Sequence, residues 1–163
     1  MADAIIQEDI LFKTVNSAEE FDEGRSLFNA YAKSLDFDLC FQDFSNELKT
    51  IDKQYNKPTG ALLLAYANNI AVGCVGIREL DKDTAELKRM FVQAEYRQHK
   101  IGMRLLELAI ELAIELKYKS IRLDTLPTMA KAQDLYRSFG FYEIPPYRFN
   151  PVSGTIYLEK KLT

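Results

Sequence analysis

The stretch Glu95-Tyr96-Arg97-Gln98-His99-Lys100-Ile101-Gly102-Met103-Arg104-Leu105-Leu106 decides the fold. Ahead of it, Glu86–Val92 alternates and is β-rich, the pattern of a strand. Behind it, Ile101–Lys117 predicts a long helix. Arg104, Glu107, Glu111 and Glu115 make a narrow polar stripe there and nearly everything else is apolar, so the helix is expected to pack on a sheet. A strand leading into a helix start is an anion site in outline: unpaired amides and the helix dipole point at it, and a glycine permits close backbone approach. Arg97, His99, Lys100 and Arg104 add positive or hydrogen-bonding groups. The same loop also fits an ordinary connection with solvated basic residues. It lacks both the glycine triplet of a dinucleotide fold and the Gly-Lys-Ser/Thr of a P-loop.

Working outward, further strands are predicted at Leu11–Val15, Ala61–Ala67, Ile70–Glu79, Ser120–Asp124 and Thr155–Lys161. A helix opens with Ser17 and Glu20 in capping-box spacing and carries Phe21, Phe28, Tyr31 and Leu35 on one face. A short helix around Ser45–Ile51 follows. Asn68–Asn69 reads as a two-residue hairpin turn, and the next strand extends that meander through Asp81–Asp83. Strand, long helix and strand then form a crossover unit, and a last helix over Met129–Ser138 ends at Gly140, with Thr125 or Thr128 as its cap. The expectation is an α/β sandwich built as one domain over residues 1–163.

The 163 residues are 47% hydrophobic and 28% charged, the balance of a globular domain. No apolar run approaches the roughly 18–20 residues of a membrane span, and the start carries no basic and apolar leader, so no membrane association and a cytoplasmic location are expected. A net charge of −3 argues against nucleic acid as partner. Two cysteines and one histidine do not make a zinc site of usual spacing, so no metal is expected; Cys40 and Cys74 read as buried thiols.

Three segments together carry a resemblance. Arg97, Lys100 and Gly102 stand at the defining positions of Arg/Gln-x-x-Gly-x-Gly/Ala, with Lys100 in place of the first glycine. Ala85-Glu86-Leu87-Lys88-Arg89-Met90-Phe91-Val92 leads into that turn. Ala132-Gln133-Asp134-Leu135-Tyr136-Arg137-Ser138-Phe139-Gly140-Phe141 follows Ala-x-x-Leu-Tyr-x-x-x-Gly-Phe. In this order and spacing, over roughly residues 60 to 143, the chain resembles the GNAT N-acetyltransferase family. The resemblance implies a mixed, mostly antiparallel central sheet with helices on both faces, and acetyl-CoA as co-substrate. Its pyrophosphate would sit on Arg97, Gln98, His99, Lys100, Ile101, Gly102, Met103 and Arg104. Its pantetheine arm would lie along Met90, Phe91 and Val92, where the family's fourth and fifth strands splay apart.

The resemblance also implies transfer of acetyl to a primary amine by direct attack in a ternary complex. Glu86 matches the position of a general base in some members, and equally fits a strand carboxylate paired with Lys88 or Arg89. Tyr136 stands at the usual acid position, and also fits an aromatic packed on the sheet. Met129 replaces an asparagine that contacts cofactor in many relatives. For the acceptor, Asp36 and Asp38 would suit an amine and Arg148 a carboxylate, which points to a small amine or an amino acid. A peptide N-terminus or lysine side chain, a non-catalytic acyl-CoA-binding module, and a homodimer all stay open.

Overall fold

Asn68 and Asn69 both take positive φ, 49° and 69°, the conformation a two-residue hairpin turn requires. They join β2 (Ala61–Ala67) to β3 (Ile70–Asp81), paired antiparallel from Ala67↔Ile70. The computed structural model describes residues 9–35, 37–39 and 43–162, with the backbone alone at Gln98; Asp36, Cys40, Phe41 and Gln42 lie outside the described residues. Before the hairpin come β1 (Ile10–Thr14), α1 (Ala18–Lys33), α2 (Phe44–Lys49) and α3 (Ile51–Gln54). After it come β4 (Thr84–Val92), a 3-10 turn (Ala94–His99), α4 (Ile101–Glu115), β5 (Ser120–Thr125), α5 (Ala130–Ser138), β6 (Tyr142–Ile144) and β7 (Ile156–Lys161).

The strands form one sheet in the order β1-β2-β3-β4-β5-β7-β6. Only β4 and β5 are parallel, as the crossover through α4 demands; every other described pairing is antiparallel. Helices cover both faces. On one, Ile101, Leu105, Leu106 and Ala109 of α4 pack on Val75, Ile77, Leu87, Ile121 and Leu123. On the other, Phe21, Leu27 and Phe28 of α1 and Ile51 of α3 meet Leu62, Leu64, Cys74 and Tyr55. Each such fully buried side chain contributes about 1.5–3 kcal/mol. The run Ala61–Ala67 is nearly all apolar because β2 is sandwiched between these two layers.

At α1, Ser17 Oγ accepts from the Glu20 amide at 3.2 Å, while the Glu20 carboxylate reaches past the cap to the Asn16 amide at 3.0 Å. This is a capping box displaced by one residue. Two expectations are corrected. The first turn of α5 is capped by neither Thr125 nor Thr128: Met129 holds the cap position, without a side-chain bond, and its carbonyl accepts from Gln133. The sheet also gains β6, a three-residue edge strand on β7 that is too short to leave an alternation in the sequence.

One polar row crosses this sheet. In register, Arg78 faces Glu86, Glu86 faces Arg122, and Arg122 faces Glu159, alternating in charge over β3, β4, β5 and β7. Beside it Gly76 leaves room for Tyr55, which is fully buried; a Cβ at Gly76 would stand 2.6 Å from that ring. Gly76→Ala is expected to cost about 1–3 kcal/mol in denaturant unfolding, because backbone and a pinned ring must both move.

Candidate active site

The site begins where β4 stops pairing with β5. Their register runs Thr84↔Ser120, Ala85↔Ile121 and Glu86↔Arg122, and no described pairing continues beyond it. On the other side β4 stays paired with β3, but with a register shift: Cys74 faces Phe91 and Gly76 faces Lys88, so Arg89 and Met90 together oppose Val75. This is a β-bulge, and Arg89 in it has φ 57°. Left-handed backbone costs a residue with a side chain roughly 1–2 kcal/mol, so something must hold it.

The holder is Glu47 on α2. Arg89 donates to it twice, Nε to Oε2 at 3.0 Å and Nη2 to Oε1 at 2.8 Å, and the Tyr55 hydroxyl donates to Oε2 at 2.9 Å. Glu47 and Arg89 are both buried. Burial pushes the Glu47 carboxyl up, but hydrogen bonding and charge from Arg89, with Lys88 and Arg78 behind it, bring it below the usual carboxylate range. The Arg89 guanidinium also lies over the Tyr31 and Phe44 rings, at 5.9 and 5.3 Å.

Beyond the bulge, the Gln93 amide bonds to Val72 O at 2.8 Å. Strand alternation therefore turns the amides of Val92 and Met90 the other way, toward the gap left by β5. Lys100 takes φ 56°, ψ 25°, the left-handed conformation for which a glycine would be the easy choice. The first intrahelical bond of α4 runs from Arg104 N to Lys100 O, so the amides of Ile101, Gly102 and Met103 have no partner inside the helix.

A cleft of about 820 Å³ runs along this open edge. Of the residues the sequence points to, Met90, Phe91, Val92, Arg97 and Gly102 line it. Ile101 is buried in the α4 core, so its amide alone faces the turn. Arg97 folds back, its Nε donating to Val92 O at 2.9 Å. Arg104 pairs with Glu107 one turn on. His99, Lys100 and Met103 stand at the turn outside the lining, and the Gln98 side chain is outside the described residues. Sequence reasoning missed Lys131 and Leu135 on α5 and Ser34 after α1, which line the opposite wall. The available signal was Lys131, a cation at the first turn of a helix whose end matched the family pattern.

Deeper, between β4 and β5, lies a cavity of about 60 Å³ lined by Tyr136, Lys88, Asp124, Thr125, Met90 and Tyr31 among others. Tyr136 is buried, edge-on to Phe141 at 5.8 Å; burial, then the charges of Tyr31 and Asp124, raise its phenol well above the ordinary value. Thr125 Oγ1 is buried without a hydrogen-bond partner among the described residues. Asn150 reaches Asp124 at 3.3 Å.

Glu86 is fully buried. Its carboxylate accepts from Arg78 Nε at 3.1 Å, Tyr147 Oη at 2.9 Å and Arg148 Nη2 at 2.9 Å. Arg78 and Arg148 pair with it, while Arg89, one of the two cations the sequence offered it, is committed to Glu47. Arg148, expected to suit an acceptor carboxylate, already holds one from its own chain. Asp38 is exposed and absent from the cavity lining. Cys74 is buried, its thiol pushed up by burial and donating to Arg89 O at 3.3 Å.

The acetyltransferase (GNAT) family matches residues 24–141. An uncharacterised N-acetyltransferase of Schizosaccharomyces pombe is 32% identical over 156 residues, 94% of this chain and 96% of that one. The N-acetylaspartate synthetase of Danio rerio is 32% identical over 100 residues, 60% of this chain and 36% of that one. The crystal structure of a GNAT-family acetyltransferase from Staphylococcus aureus Mu50 aligns with TM-score 0.79 at 27% identity, over 95% of this chain and all of that one. The chain belongs to the GNAT acetyltransferase family and is an N-acetyltransferase. The family uses acetyl-CoA as co-substrate. No described helix is long and apolar enough to cross a membrane, and no group of three or more potential metal ligands gathers among the described residues.

Removing half of the Arg89–Glu47 pair leaves a buried charge. Glu47→Gln is expected to cost about 3–5 kcal/mol in denaturant unfolding at neutral pH. The Glu47 carboxyl titrates lower folded than unfolded. Its contribution is therefore fully present above the unfolded value near 4.5 and is lost as pH falls through the folded value, so the variant's stability should change less than the wild type's on acidification.

Proposed function

We propose that this chain transfers acetyl from acetyl-CoA to the primary amine of a small molecule or amino acid, by direct attack in a ternary complex. It would act as one domain in the cytoplasm. The observation that carries the reading is the open edge of β4: a strand released from its neighbour after Glu86, kinked at Arg89, and running into three amides at the start of α4 that have no partner inside the helix. A pantetheine arm has amides and carbonyls and can take the place of the missing strand, while a pyrophosphate suits the helix start. Arg97 and Lys131 line the same cleft and Lys100 stands at its rim, which gives the phosphates cations in an otherwise acidic chain.

In this reading the thioester carbonyl lies beside the bulge, where a strand amide stabilises the oxyanion that forms as nitrogen attacks. Tyr136 stands at the sulfur. Its raised phenol stays protonated at neutral pH, so it is a donor there, and its proton passes to sulfur as the C–S bond breaks. Glu86, with three donors on its carboxylate, serves as the anchor that ties β3 and the Tyr147–Arg148 loop to β4. The kinship with N-acetylaspartate synthetase favours an amino acid among acceptors. The reaction as written balances without a metal.

Calorimetric titration is expected to show acetyl-CoA binding, and a turnover screen over amino acids and alkyl amines to identify the acceptor; no binding would overturn the reading. Tyr136→Phe should lower kcat by about 10²-fold or more while leaving acetyl-CoA affinity nearly unchanged. An unaltered kcat would remove Tyr136 as the acid.

A further inference from the structure

Thr125 carries a hydroxyl with nothing to bond to. The residue is buried, and its Oγ1 has no hydrogen-bond partner among the described residues. Folding strips water from that oxygen and returns no bond for it, a cost that most buried hydroxyls avoid. Thr125 lines the inner cavity of about 60 Å³, and so does its neighbour Asp124. Asp124 stands two residues past Arg122, whose rung with Glu86 is the last paired one between β4 and β5. Successive side chains of a strand point to opposite faces, and one cavity reaches both of these because it occupies the gap that β4 leaves beside β5.

The support under the two residues is firm. On its other edge β5 stays paired with β7, with Asp124↔Tyr157 and Thr125↔Ile156 in register, so both sit on a fixed strand. Asn150 Nδ2 donates to Asp124 Oδ2 at 3.3 Å, which takes up one of the roughly four acceptor positions of a carboxylate. The Asp124 charge acts on Tyr31 and on Tyr136, the residue placed above at the sulfur. Tyr31, Met90, Leu126 and Met129 line both this cavity and the cleft of about 820 Å³, so the cavity adjoins the path of the cofactor arm.

We propose that Asp124 and Thr125 hold the acceptor nitrogen: the Asp124 carboxylate accepts one of its N–H groups, Thr125 Oγ1 accepts the other, and the lone pair is left facing the thioester carbon. This rests on the acetyltransferase reading above. A neutral primary amine has two N–H groups and one lone pair, so two acceptors fix which way the lone pair points. The arrangement selects primary amines. A secondary amine has a single N–H and leaves either the carboxylate or the hydroxyl unsatisfied, a mismatch that discriminates strongly. The cavity has room for only a few small atoms, a nitrogen and the acetyl group, and an N-methyl group competes for that room. Asp124 and Thr125 bind and orient; bond making and breaking stay with the amine, the thioester and Tyr136.

The test uses the full chain, acetyl-CoA, the best primary amine from a panel of amino acids and alkyl amines, and the N-methyl derivative of that amine. Thr125→Val removes the hydroxyl and Asp124→Asn removes the charge, each at nearly constant shape. KM for the primary amine should rise about 3–10-fold in Thr125→Val and about 10–100-fold in Asp124→Asn, while acetyl-CoA affinity by calorimetry stays within about twofold. The urea midpoint of Thr125→Val should be unchanged or higher, because the hydroxyl it removes has no internal partner. Wild-type kcat/KM should favour the primary amine over its N-methyl derivative by about 10²-fold or more, and Thr125→Val should shrink that ratio by about 3–10-fold. A hydroxyl with a structural role alone would leave the ratio as it is. A wild type that acetylates the primary amine while either variant keeps its KM within about twofold overturns this proposal alone. So does a ratio that Thr125→Val does not change, or a lowered midpoint in that variant. A wild type that binds acetyl-CoA but acetylates no amine of the panel overturns the proposal and the acceptor class, and leaves the cofactor site standing. One that neither binds nor turns over acetyl-CoA overturns this proposal and the functional reading together.

Discussion

The left-handed backbone at Arg89 is the constraint on which the rest of the site depends. A strand that continued straight through this position would go on pairing with β5, and the sheet would close. Instead the bulge takes up one extra residue against β3, and β4 parts from β5 after Glu86. Arginine is a costly residue at φ 57°, and what holds it there is its own side chain, clamped in two hydrogen bonds by Glu47 from a different layer. Tyr55 braces Glu47, and Gly76 makes room for Tyr55. A helix, a strand and a glycine thus cooperate to fix one dihedral angle.

Charge is organised around the same fork. Arg78, Glu86, Arg122 and Glu159 neutralise one another along a row that contains the last paired β4–β5 rung, and Tyr147 and Arg148 bring the loop before β7 onto it. Beyond that row no β4–β5 pairing is described, and the side chains there line a cavity. Lys88 and Asp124 from one face and Tyr136 from the other meet at this opening. An ionic row of this kind, buried at Glu86 and half-buried elsewhere, adds little net stability, because desolvation and solvent screening offset attraction. Its place here is geometric: it lies at the rung where β4–β5 pairing ends.

Much of this architecture was legible in the sequence. Asn68–Asn69 named its turn, the stripe on α4 named its exposed side, and the crossover around α4 named the one parallel pair. The Leu-Tyr-x-x-x-Gly-Phe segment located Tyr136. The long-range pairs were not legible. Glu47 and Arg89 are 42 positions apart, and no periodicity links a helix carboxylate to a strand guanidinium. Lys88 and Arg89 read as strand-surface cations because side-chain alternation assumes regular backbone, and a bulge with an arginine at positive φ breaks it. Arg148 read as open to an acceptor for the same reason: its partner, Glu86, is 62 positions away. Strand β6 was missed because three residues on an edge make no pattern, and the first turn of α5 because it has no side-chain cap to signal it.

The edge of β4 released by this bulge, continuous with the start of α4, is the proposed seat of acetyl-CoA. Amide-resolved proton–nitrogen NMR during an acetyl-CoA titration tests it most directly. Saturable shifts are expected at the amides of Met90, Val92, Gly102 and Met103, with β1 and β6 unmoved. Saturable shifts elsewhere, with those four amides unchanged, would contradict it.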